Sequence, residues 1–528
     1  MSNRIKKKQE KKSSFQETQG LLIGVFTLAV LCLLPVVFTR FYFNILETKY
    51  IFFCVISIGT MVLMGGYGLA SGRVEAFFKE FRLPALIKSL NVIDWAMLVF
   101  WLCNVLSWVF CFDWHWDAFW GTLGRYNGVF LMTIYMIMYF LVTRFFCFKQ
   151  WYLDAFLAVG IFVCVFGITD YFQMDILHFK VRMIEDQKAI YTSTIGNINT
   201  YTVYIGALMV TSMILFALEK NKKRMLWYYG NMVLAGFALI MGSSDNAYLT
   251  LGALFGFSPL WLFRTKTGLR RYLISAASFL TVIQCVAWIN IAYGDSVVGV
   301  DGLFRVLAGL RFLPFLAAAL WILAGAVAAV TFRKTQTSSE ELKKGPVYVW
   351  LAVLLFAAAA LAFVLYDANV GGHAQRYEAL RSYVVFDDDW GTRRGYVWTR
   401  ALEVYSTKFT TLQKVFGYGT DMLWAVMSYY FEVTMENGRR VIYDSVHNEY
   451  LHYLVTIGPI GMMAYITLLG SAIVRMCKTM KDRPEVTAAM FTVAAYATQA
   501  VVNINLPIAT PIILTLLAMG VCKRVEAR

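Results

Sequence analysis

His447 and Asn448, followed at fixed spacing by Gly458 and Gly461, are the residues of this 528-residue chain best suited to chemistry. The pattern is HN-x9-G-x2-G, and it begins where the long polar stretch 367–446 runs back into an apolar helix. At ~100° per residue, positions 447, 458 and 461 project within about 60° of one another. One helix would then hold an imidazole at its end, with two glycines roughly 16–21 Å deeper on the same face, where a neighbour can approach closely. Asp444 or Ser445 is expected to cap that helix and to leave His447 in its first turn. The positive helix end disfavours imidazolium, so the ring is expected to be neutral and able to take up a proton. Pro459 cannot donate to the Val455 carbonyl, which predicts a kink. A histidine at a helix end also serves plain structure, and the glycines also serve plain helix packing; both readings stay open.

A second set of residues suits anion binding. The 367–446 stretch holds Arg376, Arg381, Arg393, Arg394, Arg400, Arg439 and Arg440 against Lys408 and Lys414. Arg125, Arg182, Arg305 and Arg311 fall in other loops of the same expected side. Arginine in preference to lysine suits bidentate contact with phosphate or carboxylate oxygens. The alternative is local pairing with Asp387, Asp388, Asp389, Glu378, Glu403 or Glu436. Trp114, Trp116 and Trp120 read as an interfacial belt or as a surface for sugar or lipid.

The elements that position these residues are membrane helices. The chain is 59% hydrophobic and 15% charged, against ~45–50% and ~25% for a soluble domain. Its mean hydropathy is +0.58. Apolar runs long enough to cross a bilayer recur about fourteen times. The expectation is an all-α polytopic membrane protein with about 14 transmembrane helices and one large extracytoplasmic helical loop. A cytoplasmic basic tail covers 1–18, helices 1–11 cover 19–366, the loop covers 367–446, and helices 12–14 cover 447–528. The net charge of +15 gathers in alternate short loops, the positive-inside pattern, which places both termini in the cytoplasm. That charge is topological and implies no nucleic-acid partner. The first apolar run reads as a signal anchor. None of the nine cysteines lies in the large loop, so no disulfide framework is implied, and no Cys/His cluster has metal spacing.

HN-x9-G-x2-G after the largest outer loop resembles the signature of the O-antigen ligase and polymerase superfamily. Arg394-Gly-Tyr-Val-Trp398 followed by Gly417-Tyr-Gly419 is similar to that family's loop pattern. Gly196-Asn197-Ile198-Asn199 resembles its entry to a middle helix, and Gly121 through Gly128, containing Arg125, resembles a segment frequent in its members. The resemblance spans about residues 113–520. It implies a membrane glycosyltransferase of the C type that transfers a glycan from a polyprenyl-diphosphate carrier to an acceptor hydroxyl at the outer face of the cytoplasmic membrane. The acceptor is a glycan, lipid, protein or wall polymer, and no cofactor or divalent metal is expected. His447 becomes the base or orienting group, with Arg394 first among the diphosphate ligands. Arg125, Arg393, Asn448, Asn199, Asp245 and Trp398 line the substrate site, and Gly458 and Gly461 pack helices. The family often has Ser-Arg-Gly where this chain has Ser243-Ser244-Asp245-Asn246-Ala247. A carboxylate replaces the arginine there, and Asp245 reads as a helix cap or as an acid/base participant. A polymerase of lipid-linked repeats is the alternative within the family. A transporter or flippase of lipid-linked oligosaccharide is the alternative outside it.

Overall fold

The structure, a computed structural model, describes residues 2–75, 82–111, 113–300, 302–334, 341–431, 434–436, 439–441 and 443–522. The side chains of Glu436, Arg439 and Arg440 lie outside the described residues. Among the described residues, nine helices are long and apolar enough to cross a membrane. Val129–Phe145, Ala247–Leu262 and Thr510–Val521 are shorter apolar helices. The runs expected at 226–242 and 487–503 are also helical, as Lys222–Met241 and Pro484–Gln499. The described residues are mostly helical, consistent with an all-α polytopic membrane protein. The chain's lysine-rich start is helical, within Ser2–Leu28.

Polar residues at the apolar runs' edges start several helices. Asn91 and Asp94 form a reciprocal capping box at Val92–Val109, and Asn221 caps Lys222–Met241, each satisfying amide donors that the helix leaves free. Ile198–Leu218 lies in the centre, with 94% of its apolar window buried. Gly345–Asn369 has none of its window buried, so its apolar surface is left for lipid.

Loops sort to two ends. At one end Asn127 Nδ2 donates to Asn505 O (2.7 Å), Ser244 Oγ to Asn199 Oδ1 (2.8 Å) and Tyr383 OH to Asp245 (2.9 Å). At the other, Arg224 pairs with Asp154 (2.6 Å) and Arg271 donates to the Phe216 carbonyl (2.7 Å). The described residues of 370–446 belong to the first end. They form short helices, as expected, and also an antiparallel hairpin, Thr434–Glu436 with Arg439–Val441. The dipeptide Asn437-Gly438 between the strands is a hairpin signal that a helical reading overlooks.

The long helix Glu449–Thr479 departs from expectation at two places. Its cap is Asn448, whose Oδ1 accepts from Leu451 N at 3.0 Å. Ser445 instead accepts from His447 N at 3.0 Å. His447 therefore precedes the helix, with φ at 52°, because the nearest good capping residue outcompetes Asp444 and Ser445. The common helical projection of 447, 458 and 461 fails for this reason and for a second one. The helix breaks at Gly458, with φ 77° and ψ 174°. The carbonyl that Pro459 cannot serve, on Val455, accepts from Tyr418 N at 3.0 Å. The next, on Thr456, accepts from Gly419 N at 3.2 Å and Ser107 Oγ at 2.6 Å. A Cβ at Gly458 would collide with the Val415 carbonyl, and one at Gly417 with that of Thr456. Gly461 faces Cys103 of the Val92–Val109 helix, 3.1 Å from where a Cβ would stand.

Gly458→Ala forces a side chain into left-handed backbone against another carbonyl, so it should cost at least ~1–3 kcal/mol. A lowered melting temperature in detergent checks this; an unchanged one refutes the crossing as a constraint.

Candidate active site

The helix Trp390–Glu403 supplies Arg394 and Trp398. Gly391, Thr392 and Arg393 are left-handed (φ 59°, 59° and 70°), so regular helix begins at Arg394. Arg394 donates to the Gly391 carbonyl (2.7 Å) and, from another nitrogen, to Asn246 Oδ1 (3.2 Å). Its Nε is buried without a partner. One turn on, Trp398 donates from its indole to the carbonyl of Val446 at 2.9 Å, the residue before His447. The four-residue spacing puts both on one helix face, from which Trp398 reaches the residue before His447 and Arg394 reaches Asn246.

Arg125 comes from the Gly121–Gly128 segment, which wraps around the buried carboxylate of Asp421. One Asp421 oxygen accepts from Arg125 N (2.7 Å) and from Asn127 N (2.9 Å). Glycine is required nearby, since a Cβ at Gly121 would stand 2.9 Å from that oxygen. The Arg125 guanidinium pairs with Asp444 at 2.6 Å, and its Nε is buried without a partner.

His447 lies in the field of both arginines. Burial first, then Arg125, Arg394 and His452, push its pKa down to about 3. Its Nδ1 is enclosed and unpartnered. Burial likewise lowers the pKa of Arg394, with Asp245 opposing. Burial raises Asp421 to about 7, against its two backbone hydrogen bonds and Arg125.

His447, Arg394 and Arg125 are therefore brought together, with Asp245 beside Arg394. Asp245 does not cap a helix. Asn246 holds the cap position of Ala247–Phe257 without a side-chain cap bond, and Asp245 accepts from Tyr383. Asn448 caps its helix, and Asn199 accepts from Ser244, so both are bound within the scaffold. Arg393 is exposed. Arg376, Arg381 and Arg400 pair locally with Asp367 (3.6 Å), Asp387 (2.8 Å) and Glu403 (2.7 Å). Sequence reasoning overlooked Asp421, Asn127 and His452, and gave Asn246 no role. Asp421, two residues past the Gly417-Tyr-Gly419 turn, carries no spacing signal of its own. Among the described residues, no group of three or more His, Cys, Asp or Glu is arranged to hold a metal ion.

Residues 303–466 match the family model described as O-antigen ligase. That segment supports the resemblance to the O-antigen ligase and polymerase superfamily. It contains Arg394, Trp398, Asp421 and His447; Arg125 and Asp245 lie outside it. A search of curated proteins finds no match.

A histidine held neutral in the fold destabilises it when the unfolded chain can take up the proton. Stability should be full above the ordinary value of 6.5 and fall as pH drops toward about 3. His447→Gln should lose less melting temperature than the parent between these limits; identical pH dependence would refute the depressed value.

Proposed function

We propose that the protein transfers a glycan from a polyprenyl-diphosphate carrier to an acceptor hydroxyl at the outer face of the cytoplasmic membrane. The observation that carries this reading is a histidine with an enclosed, unpartnered Nδ1 in the field of two arginines, of which Arg394 keeps a buried Nε without a partner. The resemblance to O-antigen ligases and the family match over 303–466 support it. The diphosphate would lie between Arg125 and Arg394, which stabilise the negative charge that develops on the leaving oxygen. His447 takes the proton of the acceptor hydroxyl as that oxygen attacks the anomeric carbon.

The electrostatics couple the two roles. Without donor, burial first and then the two arginines hold His447 too weakly basic to act near neutral pH. A bound diphosphate offsets their charge and raises the pKa, so the base strengthens only when there is a sugar to transfer. Polymerisation of lipid-linked repeats uses the same groups and differs only in the acceptor.

In membranes carrying the lipid-linked glycan, Arg394→Ala should slow transfer by about 10²–10³-fold. His447→Ala should slow it by about 10²–10⁴-fold. Arg376→Ala, whose arginine pairs with Asp367, should keep parental activity. Product assays at matched expression decide this. Full activity in the first two discards the site, and donor trapped on the inner face points to a flippase.

A further inference from the structure

Next to the arginine and histidine cluster is a cavity lined in part by Asn104, Arg125, Asn127, Asp421, His452 and Asn505. Its polar groups are oriented by bonds made elsewhere. Asn104 Nδ2 donates to the Phe100 carbonyl (2.8 Å), Asn127 Nδ2 to the Asn505 carbonyl (2.7 Å) and Asn505 Nδ2 to Tyr453 OH (2.6 Å). One Asp421 oxygen is taken by two backbone amides. What remains is the Oδ1 of each of these four residues, buried and without a partner. Arg125 Nε and His452 Nδ1, also buried and unpartnered, line the same space. Four acceptors facing two nitrogens leave a deficit of donors. About two waters remedy it, each donating twice and accepting once.

We infer that this cavity holds ordered water and that these waters carry the acceptor's proton from His447, past His452, to the Asp421 carboxylate. The inference rests on the transferase reading above. His452 is near enough to His447 for the charge of one to act on the other. Ser445, which takes the His447 backbone N–H, lines the cavity too. The step balances. The acceptor oxygen bonds to the anomeric carbon, and the bond from that carbon to the diphosphate oxygen breaks with its electron pair on the diphosphate. The hydroxyl proton passes to His447, then through water to Asp421, and reaches bulk solvent after product leaves. Asp421 is suited to hold the proton, since burial keeps its carboxyl near 7. The titratable and charged groups around Asp421 are Arg125, Asp444, Glu449, His452 and Tyr453. Glu449 accepts from Tyr465 and Tyr496, both at 2.7 Å, so its oxygens are already engaged.

The test uses the full-length protein in membranes carrying the lipid-linked glycan, with transfer rates measured across pH. The parental rate should rise with pH through a limb centred near 7, as Asp421 becomes able to accept a proton. Asp421→Asn keeps an oxygen for the two backbone amides but cannot store the proton. It should lose that limb and slow transfer by about 10²-fold. Asn104→Leu leaves the Asp421 bonds intact and dries the cavity, and it should lose the same limb. Melting temperatures show whether each variant folds; should Asp421→Asn fail to, Asn104→Leu decides alone. Parental rate and pH limb in the folded variants overturn the relay. If His447→Ala and Arg394→Ala are inactive in that case, only the relay fails; if they too are active, the transferase reading itself fails.

Discussion

The crossing of Gly417-Tyr418-Gly419 over the broken helix at Gly458 is the contact on which the site depends. Pro459 removes the donor that the Val455 carbonyl would have used, and the left-handed Gly458 ends the regular ladder. The unserved carbonyls would cost free energy if buried alone. The loop supplies their donors from its own backbone, so a proline-induced defect becomes a joint between the 370–446 region and the bundle. Only glycine fits at Gly417 and Gly458, because backbone meets backbone there. The joint fixes where Thr420 and Asp421 fall. Thr420 Oγ1 donates to the Asn104 carbonyl at 3.0 Å, and Asp421 gathers the amides of Arg125 and Asn127. One broken helix thereby registers segments about three hundred positions apart in the chain.

The electrostatics follow from that registration. A buried guanidinium needs a carboxylate or neutral acceptors close by. Arg125 receives Asp444 through one nitrogen, and Arg394 receives a carbonyl and an amide oxygen. Neither has all its donors filled, so each keeps capacity for an anion. Between them an imidazolium would be repelled from both sides, which adds to the effect of burial in keeping His447 neutral. The arrangement is costly in isolation and is relieved by a ligand with negative charge. That combination is characteristic of a binding site more than of a stabilising network.

The helical, membrane-embedded character was legible from hydropathy, and the break at Gly458 from Pro459, because both arise from local chain properties. The role of Arg394 and Trp398 could be suspected from their four-residue spacing, since one helix carries both. The capping of Glu449–Thr479 was misplaced by three or four residues. Asp444, Ser445 and Asn448 are all good caps; Asn448, nearest the helix, takes the position, and the bond from Trp398 to the Val446 carbonyl ties down the residues before it. Asp421 was illegible for a different reason. Its partners are backbone amides nearly three hundred residues upstream, and backbone groups leave no mark in a sequence. The cavity was hidden likewise, since an asparagine reads as polar surface until its nitrogen is seen engaged and its oxygen enclosed.

The substitution at 243–247 gains a physical account from the same geometry. The resemblance places an arginine where this chain has Asp245 and Asn246, and a missing cation there would weaken any diphosphate site. In the structure Asn246 Oδ1 accepts from the guanidinium of Arg394, and Asp245 lies close enough to act on its charge. A cation thus reaches the start of the Ala247–Phe257 helix from the large loop and not from the helix itself. An arginine at 245 would repel Arg394, whereas the carboxylate and the amide attract it. Tyr383, donating to Asp245, takes one oxygen of that carboxylate and leaves the guanidinium held mainly by neutral oxygens. A cation held in that way keeps more of its charge for a ligand than one neutralised by a direct ion pair.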